Sequence, residues 1–141
     1  MTDTETRRAP LSVAMLELLR EPNFAHLTTF DAQGEPRGNV IWVDTDGENV
    51  LLNSAAGRAW PTRAERNRTV SLTVADRENP YRYLAVTGVV DEVTQEGAED
   101  QIDRLAKLYF GHDRYQFRAP GERRVTLVVR PTRATLAGGA S

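Results

Sequence analysis

Apolar residues recur at positions 11, 15, 18 and 19 of Leu11–Arg20, the spacing of one helical face, and Glu21-Pro22-Asn23 ends that run. The period then shortens to that of strands. Phe24–Phe30 predicts a strand, Asp31–Pro36 a turn in which Gly34 takes the positive φ, and Arg37–Val43 a second strand. A further turn at Asp44–Glu48 leads to Asn49–Ser54, so three strands with short connections read as an antiparallel meander.

Gly57–Arg68 is polar and rich in arginine, and Pro61 suits the first turn of a short helix. Thr69–Ala75 alternates cleanly, setting Val70, Leu72 and Val74 on one face. After the loop Asp76–Pro80 comes a long strand, Tyr81–Val93, in which Gly88 marks a bulge or bend. Glu96–Phe110 is an amphipathic helix with Ala98, Ile102, Leu105, Ala106 and Tyr109 on its dry face. Asp100–Arg104 and Asp103–Lys107 have the spacing of i,i+4 ion pairs on its wet side, and Gly111 closes it. The loop His112–Gly121 precedes a last strand, Glu122–Arg130, and the chain from Thr132 onward reads as loose.

The expected fold is mainly β with peripheral helices, a six-stranded antiparallel barrel. One domain spans 11–136, with a flexible segment at 1–10 and a tail at 137–141. The short early turns exclude a doubly wound parallel sheet, whose crossovers need about a dozen residues or more. A barrel this small is filled by its own side chains, so a sizeable cofactor belongs in a groove outside it, between two subunits.

Composition narrows the function by exclusion. The 141 residues are 40% hydrophobic and 27% charged, ordinary for a globular domain with a core of its own. A net charge of −2 argues against a nucleic-acid partner. The absence of cysteine excludes disulfides, thiolate catalysis and Cys-ligated metals. His26 and His112 lie far apart without acidic ligands around them, so no metal site is expected. There is no signal-like apolar run and no window near the roughly 18 apolar residues that cross a bilayer, so no membrane partner is expected and the cytoplasm is the expected location. Of 18 basic residues 17 are arginine, a bias that selects no function.

Four segments carry candidate chemistry. In Asn53–Arg68 a strand ends in small polar residues, a glycine follows, and a helix starts among Arg58, Arg63, Arg66 and Arg68. Helix N-terminal N–H groups beside guanidinium forks suit a phosphate or carboxylate, although the same pattern describes a solvated basic helix. Asn39-Val40-Ile41-Trp42 puts an amide and an apolar residue on one strand face, a wall for a ring system, while Trp42 equally suits the core. Tyr81 and Tyr83 point the same way, which fits an interface or core packing. The loop Gly111–Gly121 mixes aromatic and basic residues, as binding loops and ordinary surface loops both do. No nucleophile–base motif and no GxGxxG or Walker sequence occurs, so in an enzyme a bound cofactor supplies the reactive atom.

Taken in order, "LTTFDAQGEPRGNVIWVD", "LLNSAAGR", "NPYRYLAVTGVV" and "IDRLAKLYFGHDRYQFRAPGERRVTL" resemble the pyridoxamine 5′-phosphate oxidase-like split-barrel superfamily. The resemblance runs from about Leu11 to Leu136 and is strongest to the branch of coenzyme F420-dependent oxidoreductases. It implies an FMN-binding-like split barrel and a homodimer with two equivalent cofactor grooves at the subunit interface.

By position it implies that Asn53, Ser54 and Arg58 surround the cofactor's phosphate and side chain, with Arg63 helping to anchor the anionic tail. Asn39 and Ile41 would lie beside the ring, Tyr81 and Tyr83 near the groove, and the loop around Arg114 to Phe117 would help close it. One of Tyr81, Tyr83 and Tyr109, or solvent, would supply a proton; no catalytic residue is assigned. Two positions depart from the pattern: Trp60 stands where the family commonly has lysine, with Pro61 following, and Arg63 stands where it commonly has asparagine. Trp60 would stack on a ring, narrow the groove, or weaken the site.

The implied function is transfer of a hydride from reduced F420 to a small organic acceptor. The alternatives are an FMN-binding flavoprotein of the same fold and a non-catalytic cofactor-binding homodimer with a degenerate site.

Overall fold

The computed structural model describes residues 7–138. Its elements are α1 (Val13–Arg20), β1 (Ala25–Phe30), β2 (Pro36–Ile41), β3 (Asp44–Thr45), β4 (Val50–Ala55), α2 (Ala59–Arg66), β5 (Thr69–Ala75), β6 (Tyr83–Thr94), α3 (Ala98–Phe110) and β7 (Arg124–Ala137). The strands form one antiparallel, curled sheet in the order β2-β1-β5-β6-β7-β4-β3.

The expected six strands are therefore seven. The extra one is β3, placed where a turn was expected, and it pairs Asp44 with Leu51 and Thr45 with Val50. Asp44 tolerates burial there because Arg104 Nη2 (2.7 Å) and Gln101 Nε2 (3.1 Å) both donate to its Oδ2.

The last strand also runs beyond the expected end at Arg130. The stretch from Thr132 is not loose: Arg133–Ala137 pairs with Tyr83–Thr87. Pro131 looks like a stop because it cannot donate to a ladder, yet it sits opposite Gly88 at a register shift. Gly88 is required by that close approach, since a Cβ there would lie 2.6 Å from Val129 Cγ1 and 2.7 Å from the Arg130 carbonyl oxygen. A second shift between Val90 and Glu92 bends β6 again, and the two bulges curl the sheet. Tyr81 and Arg82 precede β6 rather than starting it.

Val70, Leu72 and Val74 of β5 are buried, as their alternation required. They meet Leu18 and Leu19 of α1 and Leu52, Leu84 and Leu127 in the main core. Ser12 caps α1, its Oγ accepting from Met15 N. α3 buries the predicted face and adds Gln101, and Gly111 ends it at φ 76°.

The two i,i+4 pairs expected on α3 are replaced by longer-range ones. Arg104 reaches Asp44, Asp103 meets Arg118 at 3.1 Å, and Lys107 meets Asp113 at 3.8 Å. The side expected to face water is partly covered by β3 and by the loop His112–Gly121. No described helix is long and apolar enough to cross a membrane. Residues 1–6 and 139–141 of the expected flexible ends lie outside the described residues, whereas Ala9 N donates to Pro131 O at 2.8 Å.

Candidate functional site

The ends of β2 and β4, the first turn of α2 and the loop after α3 enclose a cavity of about 590 Å³. Asn39, Ile41 and Trp42 form one side, Asn53, Ser54 and Arg58 another, and Trp60, Ile102, Tyr115 and Phe117 come from the helices and the loop. Six of the residues singled out in the sequence thus share one space: Asn39, Ile41, Asn53, Ser54, Arg58 and Trp60. Phe24 and Arg124 complete the wall.

At its polar end Glu122 bridges two arginines. Its Oε1 accepts from Arg58 Nη2 and its Oε2 from Arg124 Nη1, both at 3.1 Å. A second carboxylate, Glu99, accepts from Arg124 N at 3.2 Å and pairs with Arg118 at 3.0 Å. The Arg124 and Glu122 side chains are each 3% exposed, whereas that of Arg58 is 50% exposed and free to meet a ligand. Arg124 also lies 4.9 Å from the Tyr115 ring centroid, a cation–π contact that seats the loop.

Arg124 is the residue that sequence reading missed. It opens β7 opposite Ala55 of β4, and Arg123-Arg124 reads as an ordinary charged strand start. Its hydrogen-bond partner on β4, Asn53, which lies opposite Thr126, is committed to the protein. Both Nδ2 hydrogens are taken, by Ala98 O at 2.9 Å and Gln101 Oε1 at 2.8 Å, while Oδ1 accepts from Arg124 Nε at 2.9 Å. Thr126 Oγ1 adds 2.7 Å to Gln101 Oε1, so β4, β7 and α3 are joined by one buried polar network.

The other end is aromatic. Trp42 stacks on Tyr109 at 5.1 Å and meets Tyr115 edge-on at 5.9 Å, so it serves packing and cavity wall together. Tyr115 N donates to Asp103 Oδ1 at 2.9 Å, and Arg118 bonds the same carboxylate, which pins the loop onto α3. Burial tends to raise the Asp103 pKa, but these bonds win and hold it below the usual carboxylate range.

Tyr109 does not reach the cavity. Its hydroxyl donates to Asn23 O and accepts from Val43 N at 3.1 Å, and burial pushes its pKa up to about 12. It is a structural clamp. Trp60 is buried in the main core as well as bordering the cavity.

Three named residues lie elsewhere. Arg63 borders a second cavity on the other side of α2, and its Nη2 donates to Asn39 Oδ1 at 3.2 Å. Tyr81 is 84% exposed in the turn before β6, Tyr83 is partly exposed at the start of β6, and neither borders either of these two cavities. Among the described residues no group of three or more His, Asp or Glu is placed to hold a metal ion.

A family model described as pyridoxamine 5′-phosphate oxidase matches residues 11–137. A solved structure named F420 Reductase is 31% identical with a TM-score of 0.73, over 84% of this chain and 94% of that one. HupZ from Group A Streptococcus (20% identical, TM-score 0.65, covering 92% and 97%) shares the fold. So does HutZ, the heme storage protein from Vibrio cholerae (17%, TM-score 0.65, covering 92% and 96%). No curated protein matches the chain.

Proposed function

The chain belongs to the pyridoxamine 5′-phosphate oxidase family, and from that premise we propose that it is an F420-dependent oxidoreductase acting on a small organic molecule. The observation that carries the proposal is the cavity's polarity. A pair of arginines bridged by Glu122 stands at one end and flat apolar and aromatic surfaces stand around the rest. A planar ring system with an anionic side chain has both requirements met there, in a space of ordinary ligand-site volume.

When bound, reduced F420 supplies a hydride to an electron-poor acceptor. The chain binds, orients and excludes water. Arg58, half in solvent, takes the anionic part, and Arg124 adds buried positive charge behind it. Asn53 acts through Arg124 as a positioning residue. Ile41 and Trp60 wall the ring, and Asn39 offers its amide nitrogen because its oxygen is taken by Arg63. Tyr115 and Phe117 shield the open side.

A second copy of the chain completes the groove. Val40 on the edge strand β2 is 62% exposed and Phe117 is 66% exposed, two apolar side chains at the cavity mouth. Tyr81 and Tyr83, remote from their own cavity, belong to the site only if the partner brings them. Sedimentation showing only a species near 15.7 kDa would sink the shared groove.

Both tryptophans of the chain, Trp42 and Trp60, border the cavity, so occupancy is readable in intrinsic fluorescence. Titration with F420 and with FMN should show saturable quenching by F420. Preference for FMN would make the protein a flavoprotein, and quenching by neither would leave the reading without a cofactor.

A further inference from the structure

The second cavity, about 840 Å³, lies between the β1–β2 hairpin and the C-terminal end of α2. Arg63 and Arg66 come from α2, Arg68 from the segment that follows it, and Arg37 from β2. Cations in the last turn of a helix are favoured by its dipole, which accounts for Arg63 and Arg66 alone. It does not account for Arg37 and Arg68 converging on the same space.

The charge there is uncompensated. Asp31 is the one carboxylate on the wall, and Arg37 pairs with it at 3.3 Å. Arg63 Nε and Nη2 bond the neutral Thr29 Oγ1 (2.9 Å) and Asn39 Oδ1 (3.2 Å), and Arg68 Nη1 bonds Val90 O (2.8 Å). Arg66 has no ion-pair or hydrogen-bond partner among the described residues. Three guanidinium groups without a carboxylate therefore face one cavity, in a chain whose net charge is −2.

We infer that this cavity is a second anion site, for a small ligand group carrying two or more carboxylates or phosphates. It stands apart from the Arg58–Arg124 end of the first cavity, and Arg63 links the two because it also holds Asn39. The anionic group has two possible sources: the acidic tail of a ligand whose ring occupies the first cavity, or a free polyanion.

Calorimetric titration of the full chain with tripolyphosphate, and separately with tetraglutamate, tests the site without any redox cofactor. At least one should bind saturably at low salt, and Arg66→Gln should weaken it about tenfold. Arg66 is exposed on α2, so the substitution preserves the fold, and Arg37→Gln repeats the test from another element. Lys107→Gln, at an exposed charge on α3 that lines neither cavity, should leave this binding unchanged. Absence of saturable binding by both probes, or equal binding by wild type and both second-cavity variants, would overturn the site.

The source follows from comparing F420 with its deazaflavin riboside, which lacks the phosphate and glutamates. If Arg66→Gln weakens only the complete cofactor, the tail fills the site; if it weakens neither while the free probes respond, a separate anion does. Failure of F420 to bind at all would overturn the proposed cofactor and leave the probe result standing.

Discussion

The Nε of Arg124 donates to the amide oxygen of Asn53 at 2.9 Å, joining the first residue of β7 to the end of β4 behind the cavity wall. The contact orders two functions at once. It aims the Arg124 guanidinium at Glu122, and it fixes the amide that holds Gln101 and the start of α3.

Arg124→Met should therefore destabilise the fold by about 3 kcal/mol or more, because Glu122 keeps a buried charge with only the half-exposed Arg58 beside it. Urea denaturation should show a lower midpoint with an unchanged slope. Asn53→Ala should also destabilise, and the double variant should lose less than the sum, with a coupling of about 1 kcal/mol or more. Strict additivity would mean that the two residues act separately.

Tyr109 makes a pH prediction whose sign is set by burial. Its pKa is pushed up to about 12, against about 10 for an unfolded tyrosine, so the native state keeps a proton that the unfolded chain has lost. The stabilisation is complete below pH ~10 and is lost as pH rises toward 12, at up to about 1.4 kcal/mol per pH unit. Tyr109→Phe should remove that alkaline loss. At neutral pH it should cost about 1–3 kcal/mol, since Val43 N and Asn23 O lose their partner. Unfolding curves at pH 7, 10 and 11 on both proteins separate the two effects.

How much of this was legible in the chain depends on the range of the interaction. Val70, Leu72 and Val74 carry their burial in their own alternation, and Ala98, Ile102 and Leu105 in theirs. Local spacing gives Asp103 and Arg104 partners one turn away, because it says nothing about a loop or strand arriving from outside. The strand expected to end at Arg130 continues to Ala137, because the bulge opposite Gly88 lets it pass Pro131, which cannot extend a regular ladder. The site divides in the same way. Asn39, Ser54 and Arg58 sit on motif positions and line one cavity, whereas Arg124 becomes part of it only through the β4–β7 register.

The loop His112–Gly121 should loosen in acid before it loosens in anything milder. The Asp103 carboxylate that holds Tyr115 N and Arg118 has a lowered pKa, so its grip is intact above the ordinary carboxylate value near 4 and is lost as pH falls through the lower native value. Hydrogen exchange at the Tyr115 amide, corrected for intrinsic rate, should stay slow from pH 8 to 5 and accelerate below 4. Asp103→Ala should accelerate it throughout. A pH-independent rate in the wild type would show that the loop is held by its aromatic contacts with Trp42 and Phe110 instead.

Trp60 and Arg58 stand next to each other at the same cavity and should respond oppositely to substitution. Trp60 belongs to the main core, so Trp60→Lys, which introduces a cation beside Arg58, also removes a buried ring and should cost about 3 kcal/mol or more. Weaker cofactor binding by that variant would then report lost packing as much as lost chemistry. Arg58 is half exposed, and the buried Glu122 keeps its bond to Arg124 when Arg58 is replaced, so Arg58→Gln should destabilise by only about 1 kcal/mol. It should nevertheless weaken a phosphate-bearing deazaflavin about tenfold while leaving the uncharged riboside unaffected. Equal losses for both ligands would place Arg58 beside the ring rather than the phosphate, and no loss for either would move the anion to Arg124 or out of this cavity altogether.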